Sequence, residues 1–590
     1  MIDSSRPHTE TDGEWSSLCQ MDENLIDNLT LMWLHSVQLL LFFSASALAS
    51  IKSEADNDGK YKVIRIFPRD AGQLELMRNL YNKSTDLQLD FWKAPTALGQ
   101  FADVMAGPNV ARPLVSFLNE HNIPHIITID DVQSLTIERE GRRSETDAAD
   151  PDPILQAFLK RAKDTSSRNK AKYGFGDYHS YNEMVQWMND IEYYYPQMAK
   201  VFSMGTTYEG RHIRGIKIGY PIHRTDKRII WVDGGIHARE WAAVHTALYF
   251  IDQLISQYGV DPQITSYVDT LNFYIIPVAN PDGYEYSRSD ISPQTRFWRK
   301  NRGQQICKKD RWRRERCCGG VDLNRNFDFH WGGKNWFELG FMFGNLSRQW
   351  TIQAIRDKMM SPELYGKVDA FITLHTYSQM WIHPFNHQRN SVPSDVNDLE
   401  EVGKRGVKAL ESVYGTKYRF GTGADILYPS AGGSDDWAKA KANVKYVYLL
   451  ELRPDEEEWD GFLLDKRQLI PTGRETWAGI KVVIDAVMKA QRAVAPAVSP
   501  SSPSQIHQSQ YREQQLRTDL HRRLDMLRAS HDNARRDYDR HMRTSTAKPY
   551  IGHCIDRSPW CVNWMEVSPD VCRTSKIYML QECARSCRFC

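Results

Sequence analysis

The sequence carries almost no net charge. Lysine and arginine number 75, aspartate and glutamate 74, and the formal balance is +1. Such a balance gives no electrostatic argument for nucleic acid or for an acidic surface as a partner. Cysteine is nearly missing from the long middle of the chain: none lies between Cys19 and Cys307, and none between Cys318 and Cys554. Long apolar runs are missing as well, apart from residues 32–49, so no other segment has the length and apolarity to span a membrane. Long internal repeats are absent. The composition, 41% hydrophobic over 590 residues, supplies a large core and suggests several domains.

What is present is unevenly placed. Six of the ten cysteines fall in residues 554–590. A dense, even set in so short a segment reads as a disulfide framework, which needs an oxidising compartment. Residues 32–49, MWLHSVQLLLFFSASALA, hold an apolar stretch that ends in Ala47-Leu48-Ala49, a signal-peptidase pattern. A signal anchor is the other reading, but the run is short and ends in small residues. Residues 1–31 are polar and acidic, wrong for the flank of a signal peptide. Met32 is therefore the expected start, 1–31 a non-native extension, and the mature protein extracellular.

After a polar spacer (50–60), residues 61–138 alternate apolar runs with helical patterns. YKVIRIF, LQLDFW and PHIITI read as strands; AGQLELMRNLYN and NVARPLVSFLNEHN read as helices. This predicts a small α+β unit. It runs into EREGRRSETDAADPDP and a helical run with Lys160, Arg161 and Lys163, a composition open to trypsin-like cleavage. Residues 175–490 form the largest block. RIIWVDGG, LNFYIIPVA, VDAFITLHTY and VKYVYLLELR read as buried strands between helices, which predicts an α/β fold with a central mixed sheet flanked by helices. A Pro/Ser linker follows, then a charged helix-prone stretch within 493–550. Its weak stripe of Leu516, Leu520, Leu524 and Leu527 reads as a solvated spacer helix rather than a coiled coil, and a monomer is expected.

Polar residues at strand ends are where α/β proteins place their chemistry. His237 and Glu240 form an H-x-x-E pair in GGIHAREW, just after the strand RIIWVD. Such pairs are common by chance, and a catalytic zinc needs three protein ligands with a fourth position open. His375, at the end of VDAFITL, is the candidate third. Spacing alone leaves these as ligands or as ordinary buried residues.

IHAREW, FWRKNR, GVDLNRNFD, ITLHTYSQ, YPSAGGSDDW and LLELR occur in the order found in carboxypeptidase A/B-type zinc metallocarboxypeptidases. The chain resembles that family over roughly residues 61–490, pro-segment included, with LDFW and ADVM as pro-segment marks. The resemblance implies a zymogen: an activation pro-segment (50–165) over a catalytic domain (170–492). It is expected to be cleaved near Arg142-Arg143 or at Arg161/Lys163 by a trypsin-like protease. It implies one Zn2+ held by His237, Glu240 and His375, with Asp322 orienting the first histidine. Glu451 is implied as the base and Arg299 as the cation on the scissile carbonyl. Asn324 and Arg325 are implied to clamp the substrate's terminal carboxylate, and Tyr428 to close over it. Arg239, Tyr377 and Phe462 are implied as further substrate contacts. Peptide and protein C-termini would be the substrates.

The family divides by the residue at the base of its side-chain pocket. Here that position falls on Asp435, and Gly423 matches the small residue that opens the pocket in B-type enzymes. The resemblance therefore implies release of C-terminal Lys or Arg, since a buried carboxylate wants a cation. Asn386 departs from the small serine usual in that pattern.

A larger departure lies at residues 335–350, NWFELGFMFGNLSRQW, where the family has a Pro-Cys-Ser loop. Its loop cysteine is missing, which leaves Cys307, Cys317 and Cys318 as an odd set. This points to a segment that is not the natural sequence. Sequons at Asn82 and Asn345 permit glycosylation.

The C-terminal spacing is C-x6-C-x10-C-x10-C-x3-C-x2-C, and spacing alone leaves fifteen pairings open. The pattern and its CARSCRFC ending resemble the ShK-toxin-like module of many secreted enzymes. That resemblance implies Cys554–Cys590, Cys561–Cys583 and Cys572–Cys587. Channel-blocking modules use a Lys-Tyr pair. Here Ile577 precedes Tyr578, so an extracellular matrix ligand is the better expectation. The rival functional reading is a catalytically silent matrix-binding protein, which loss of a ligand or of the base would betray; neither is lost.

Overall fold

The computed structural model describes residues 58–141, 169–304, 306–309, 315–330, 350–494 and 586–587. The chain divides into two compact units, Met1–Val494 and Ala495–Cys590. In the second, Cys587 is disulfide-bonded. The implied C-terminal pairings, the charged stretch, residues 335–349, the signal segment and the cleavage candidates lie outside the described residues.

The N-terminal part of the first unit is a four-stranded antiparallel sheet in the order β2-β3-β1-β4. Its strands are β1 (Lys62–Ile66), β2 (Leu89–Lys93), β3 (Ala102–Ala106) and β4 (His125–Ile129). Two helices cover one face. Ala71–Asn82 starts where the Asp70 carboxylate accepts from Gln73 N–H, and it buries Leu74, Met77, Leu80 and Tyr81. Pro108–Glu120 starts with proline at its first turn and buries Leu114, Phe117 and Leu118.

Two expectations need correcting here. β3 is a strand that its sequence does not announce. ADVMA has alanine at both ends and a weak strand propensity, but it lies between β1 and β2 and is buried at all five positions. A third helix, Val132–Glu140, also forms, and it carries the first three residues of the cleavage-prone stretch EREGRRSETDAADPDP. Asp131 caps it by accepting from Ser134 N–H.

The larger part of the first unit is built on eight strands in the order β13-β12-β14-β11-β7-β8-β6-β5. These are β5 (Ala199–Thr206), β6 (His212–Ile218), β7 (Ile229–Asp233), β8 (Asn272–Ile276), β11 (Val368–Ser378), β12 (Met380–His383), β13 (Arg419–Thr422) and β14 (Tyr446–Asp455). The four central strands, β14-β11-β7-β8, are parallel, and they are the four apolar runs of the sequence. Antiparallel partners flank them on each side, β12 against β14 and β6 against β8. Helices Trp241–Gln257, Val396–Tyr414 and Leu469–Val494 pack a large core with one face. Trp350–Met359 and Ser434–Ala440 close the other. A short hairpin, β9 (Ile306–Lys309) with β10 (Glu315–Cys318), places Cys307 opposite Cys317 in register, and Cys307 is disulfide-bonded.

Candidate active site

β7 ends at Asp233, and the chain turns through Gly234 and Gly235 to set His237 and Glu240 beyond the carboxyl edge of the sheet. The neighbouring strand β11 delivers His375. Parallel register on its other side pairs His375 with Glu451 of β14. Four residues from three distant segments thus meet at one edge.

His237, Glu240 and His375 each offer a ligand atom, and these atoms lie within 4.8 Å of one another. Glu240 Oε1 is 2.7 Å from His237 Nδ1, Oε2 is 3.0 Å from His375 Nδ1, and the two Nδ1 atoms are 3.2 Å apart. The far nitrogens are occupied. His237 Nε2 donates to Asp322 Oδ1 at 3.2 Å. His375 Nε2 donates to the Thr373 hydroxyl at 3.2 Å, and that hydroxyl in turn donates to Asp233 at 2.8 Å. Protons held at Nε2 leave lone pairs on both Nδ1 atoms, so two lone pairs and a carboxylate face each other in a buried space. That convergence suits a cation, and a buried His2Glu set with one open side is a zinc donor set.

The surrounding charges are ordered by burial and by pairing. Burial works against both charges, but Asp322 and Arg299 outweigh it for each other. The carboxyl is held well below the usual range and the guanidinium above its own. Arg299 Nε donates to Asp322 Oδ2 at 2.8 Å, and Nη1 reaches Glu240 Oε1 at 3.4 Å. Burial pushes Glu451 up to about 8; His375 opposes the shift and Glu240 adds to it. Burial also pushes Asp233, behind Thr373, up to about 6.

A cavity of about 760 Å³ covers this edge, and every residue implied by the sequence lines it. Asn324 is fixed by accepting from Ser434 N–H at 2.8 Å, and Arg325 donates to the Tyr428 hydroxyl at 3.2 Å. Asp435 lines the same cavity, 1% exposed, with no cation paired to it among the described residues. Burial first, and Asp436 second, push its carboxyl up to about 7. Arg239, Tyr377 and Phe462 form a third group: the Arg239 guanidinium lies 4.0 Å from the Phe462 ring centre, and Tyr377 meets Phe462 edge-on at 4.9 Å.

The N-terminal sheet sits on this same cavity. Asp90 of β2 accepts from Arg239 Nη1 at 3.0 and 2.9 Å. Trp92 packs tilted against Phe297, with ring centres 4.7 Å apart, and edge-on against Phe462 at 5.7 Å. Gly461 is needed beneath it, because its φ is +57° and any side chain would collide with the indole. Glu140, at the end of the third helix, forms a buried pair with Arg296, with both contacts at 2.6 Å. The LDFW motif marked Asp90 and Trp92 as part of a pro-segment, but their partners were not readable. Thr373 and Asp233 were missed; the only signal was a polar residue inside an apolar strand.

Residues 184–479 match the family described as zinc carboxypeptidase, and residues 64–139 match the carboxypeptidase activation peptide. Carboxypeptidase A2 of Mus musculus is 33% identical over 430 residues, which span 72% of this chain and 93% of that protein. Carboxypeptidase B of Astacus astacus is 38% identical over 319 residues, 52% of this chain and 97% of that protein. Among solved structures, thrombin activatable fibrinolysis inhibitor aligns with TM-score 0.59 at 26% identity, over 73% of this chain and 99% of its own. With its site geometry, its activation domain and these relatives, the chain belongs to the zinc carboxypeptidase family.

Proposed function

We propose that the activated, secreted enzyme removes single Lys or Arg residues from peptide and protein C-termini. The observation that carries this is Asp435. A buried carboxylate lining a substrate cavity, without a cation of its own, is stabilised by a basic side chain arriving there. Gly423 lines the same cavity, and a Cβ there would stand 2.8 Å from Asn386 Oδ1.

Roles follow from position. His237, Glu240 and His375 would hold the zinc, with Asp322 and Thr373 fixing the ring tautomers. Zinc bound there polarises a carbonyl and acidifies a water. Glu451, beside His375 in register, takes the proton and passes it to the leaving amine. Arg299 faces the carbonyl oxygen as negative charge develops. Arg325 and Asn324 bind the terminal carboxylate, a fork suited to two oxygens, and Tyr428 shields it. Arg239, Tyr377 and Phe462 receive the residues upstream. In the zymogen Asp90 and Trp92 occupy that last group, which blocks the approach of a peptide until proteolysis. The C-terminal cysteine module would tether a monomeric enzyme to an extracellular matrix ligand.

The test is turnover by the activated enzyme of matched peptides ending in Lys, Arg, Phe and Glu. The basic peptides are expected to lead, and Asp435→Ile to reverse that order. A preference for Phe in the wild-type enzyme sinks the reading.

A further inference from the structure

The floor of the Asp435 pocket has an unusual builder. Asn386 Oδ1 accepts from Gly423 N–H at 2.5 Å, which fixes the carboxamide orientation. Its Nδ2 then points the other way and donates to Asp435 Oδ2. The Asn386 backbone is held as firmly: its N–H reaches both oxygens of Asp436, at 2.8 and 3.0 Å. Asn386 itself is 6% exposed. It is a fixed part of the pocket floor.

An ionised carboxylate offers about four acceptor sites. At Asp435 a site on Oδ2 is taken by Asn386 Nδ2. Asn386 thus competes at one of the two oxygens that an incoming cation would meet. A guanidinium binds a carboxylate best through two parallel N–H bonds to both oxygens. An ammonium is a compact point charge that needs no fork.

We propose that Asn386 is a specificity-determining positioning residue that, by holding one edge of the Asp435 carboxylate, tunes the pocket for C-terminal lysine over arginine. The inference rests on the basic-specificity reading above and deepens it.

The experiment compares kcat/KM of the activated wild-type enzyme and of Asn386→Ser on three matched peptides ending in Lys, Arg and Phe. The wild-type enzyme is expected to favour Lys over Arg. Asn386→Ser is expected to lower the Lys/Arg ratio by about tenfold, the worth of one hydrogen bond to a charged group. Asn386→Gly removes the same donor without adding a hydroxyl and is expected to move the ratio the same way, which covers poor folding of either variant. Because the ratio is internal to one preparation, a general loss of stability does not move it. If Lys and Arg both exceed Phe but the ratio favours Arg or is unmoved in both variants, the assignment to Asn386 fails alone. If Phe leads in the wild-type enzyme, the basic-specificity reading fails and takes this inference with it.

Discussion

At the residue scale, the site works because each donor is oriented by a second contact. The Asp322 carboxylate and the Thr373 hydroxyl hold the far nitrogens of His237 and His375, so their Nδ1 lone pairs converge on one point. Asp322→Ala is therefore expected to weaken zinc affinity roughly 10–100-fold, measured by competition with a chelator, while leaving the fold intact. Glu451→Gln keeps the candidate zinc donors and removes the proposed base, so kcat should fall about 10²–10⁴-fold at unchanged metal content. Asp435 carries a pH signature. Its carboxyl is pushed up to about 7, so it is neutral below that pH and charged above it. The kcat/KM ratio of a Lys-ended to a Phe-ended peptide should fall as pH drops through about 7; a flat ratio from pH 6 to 8 would contradict this. The donors were legible because they sit in short motifs at strand ends. The Asn386–Asp435 hydrogen bond was not, because only the fold brings a β12-side loop to the start of helix Ser434–Ala440.

At the element scale, register does the positioning. β11 pairs in parallel with β7 on one side and β14 on the other, and that brings His375 beside Glu451 and next to the turn carrying His237. The four central strands were legible as continuous apolar runs, since a strand covered on both faces has no polar alternation to hide it. β3 and the flanking strands β5, β6, β12 and β13 of the larger sheet were not, because their pairing rather than their composition makes them strands. Helix Trp241–Gln257 is buried nearly all round, and it carries Asp252, which accepts from Asn169 at 3.1 Å. Burial pushes that carboxyl up to about 6. The unfolded chain loses this proton first, near pH ~4, so the folded state binds more protons between about 4 and 6, and stability falls with rising pH across that window. Asp252→Asn should flatten this part of the pH–stability curve and raise Tm at pH 7.5, measured by calorimetry; a lower Tm at pH 7.5 with an unchanged curve would refute the assignment.

At the scale of the whole molecule, the activation domain lies on the cavity that holds the candidate site. It is held by Trp92 among Phe297 and Phe462, by Asp90 on Arg239 and by the buried Glu140–Arg296 pair. The partners of the Asp90–Arg239 contact lie 149 residues apart, so the existence of the domain was legible from its motifs but the way it covers the site was not. Trp92→Ala is expected to raise the activity of the uncleaved zymogen on small peptides by about tenfold or more, since it empties the apolar part of the contact, while activity after cleavage stays at the wild-type level. Equal activity in both zymogens would show that the indole does not block the site. The central claim is a single-zinc exopeptidase, and it is tested most directly by titrating Zn2+ into metal-stripped, activated protein while following release of the C-terminal residue from a Lys-ended peptide. Activity should rise linearly and reach a plateau at one equivalent, with only the terminal residue released. Activity indifferent to zinc, a plateau at another stoichiometry or cleavage at internal bonds would contradict the account.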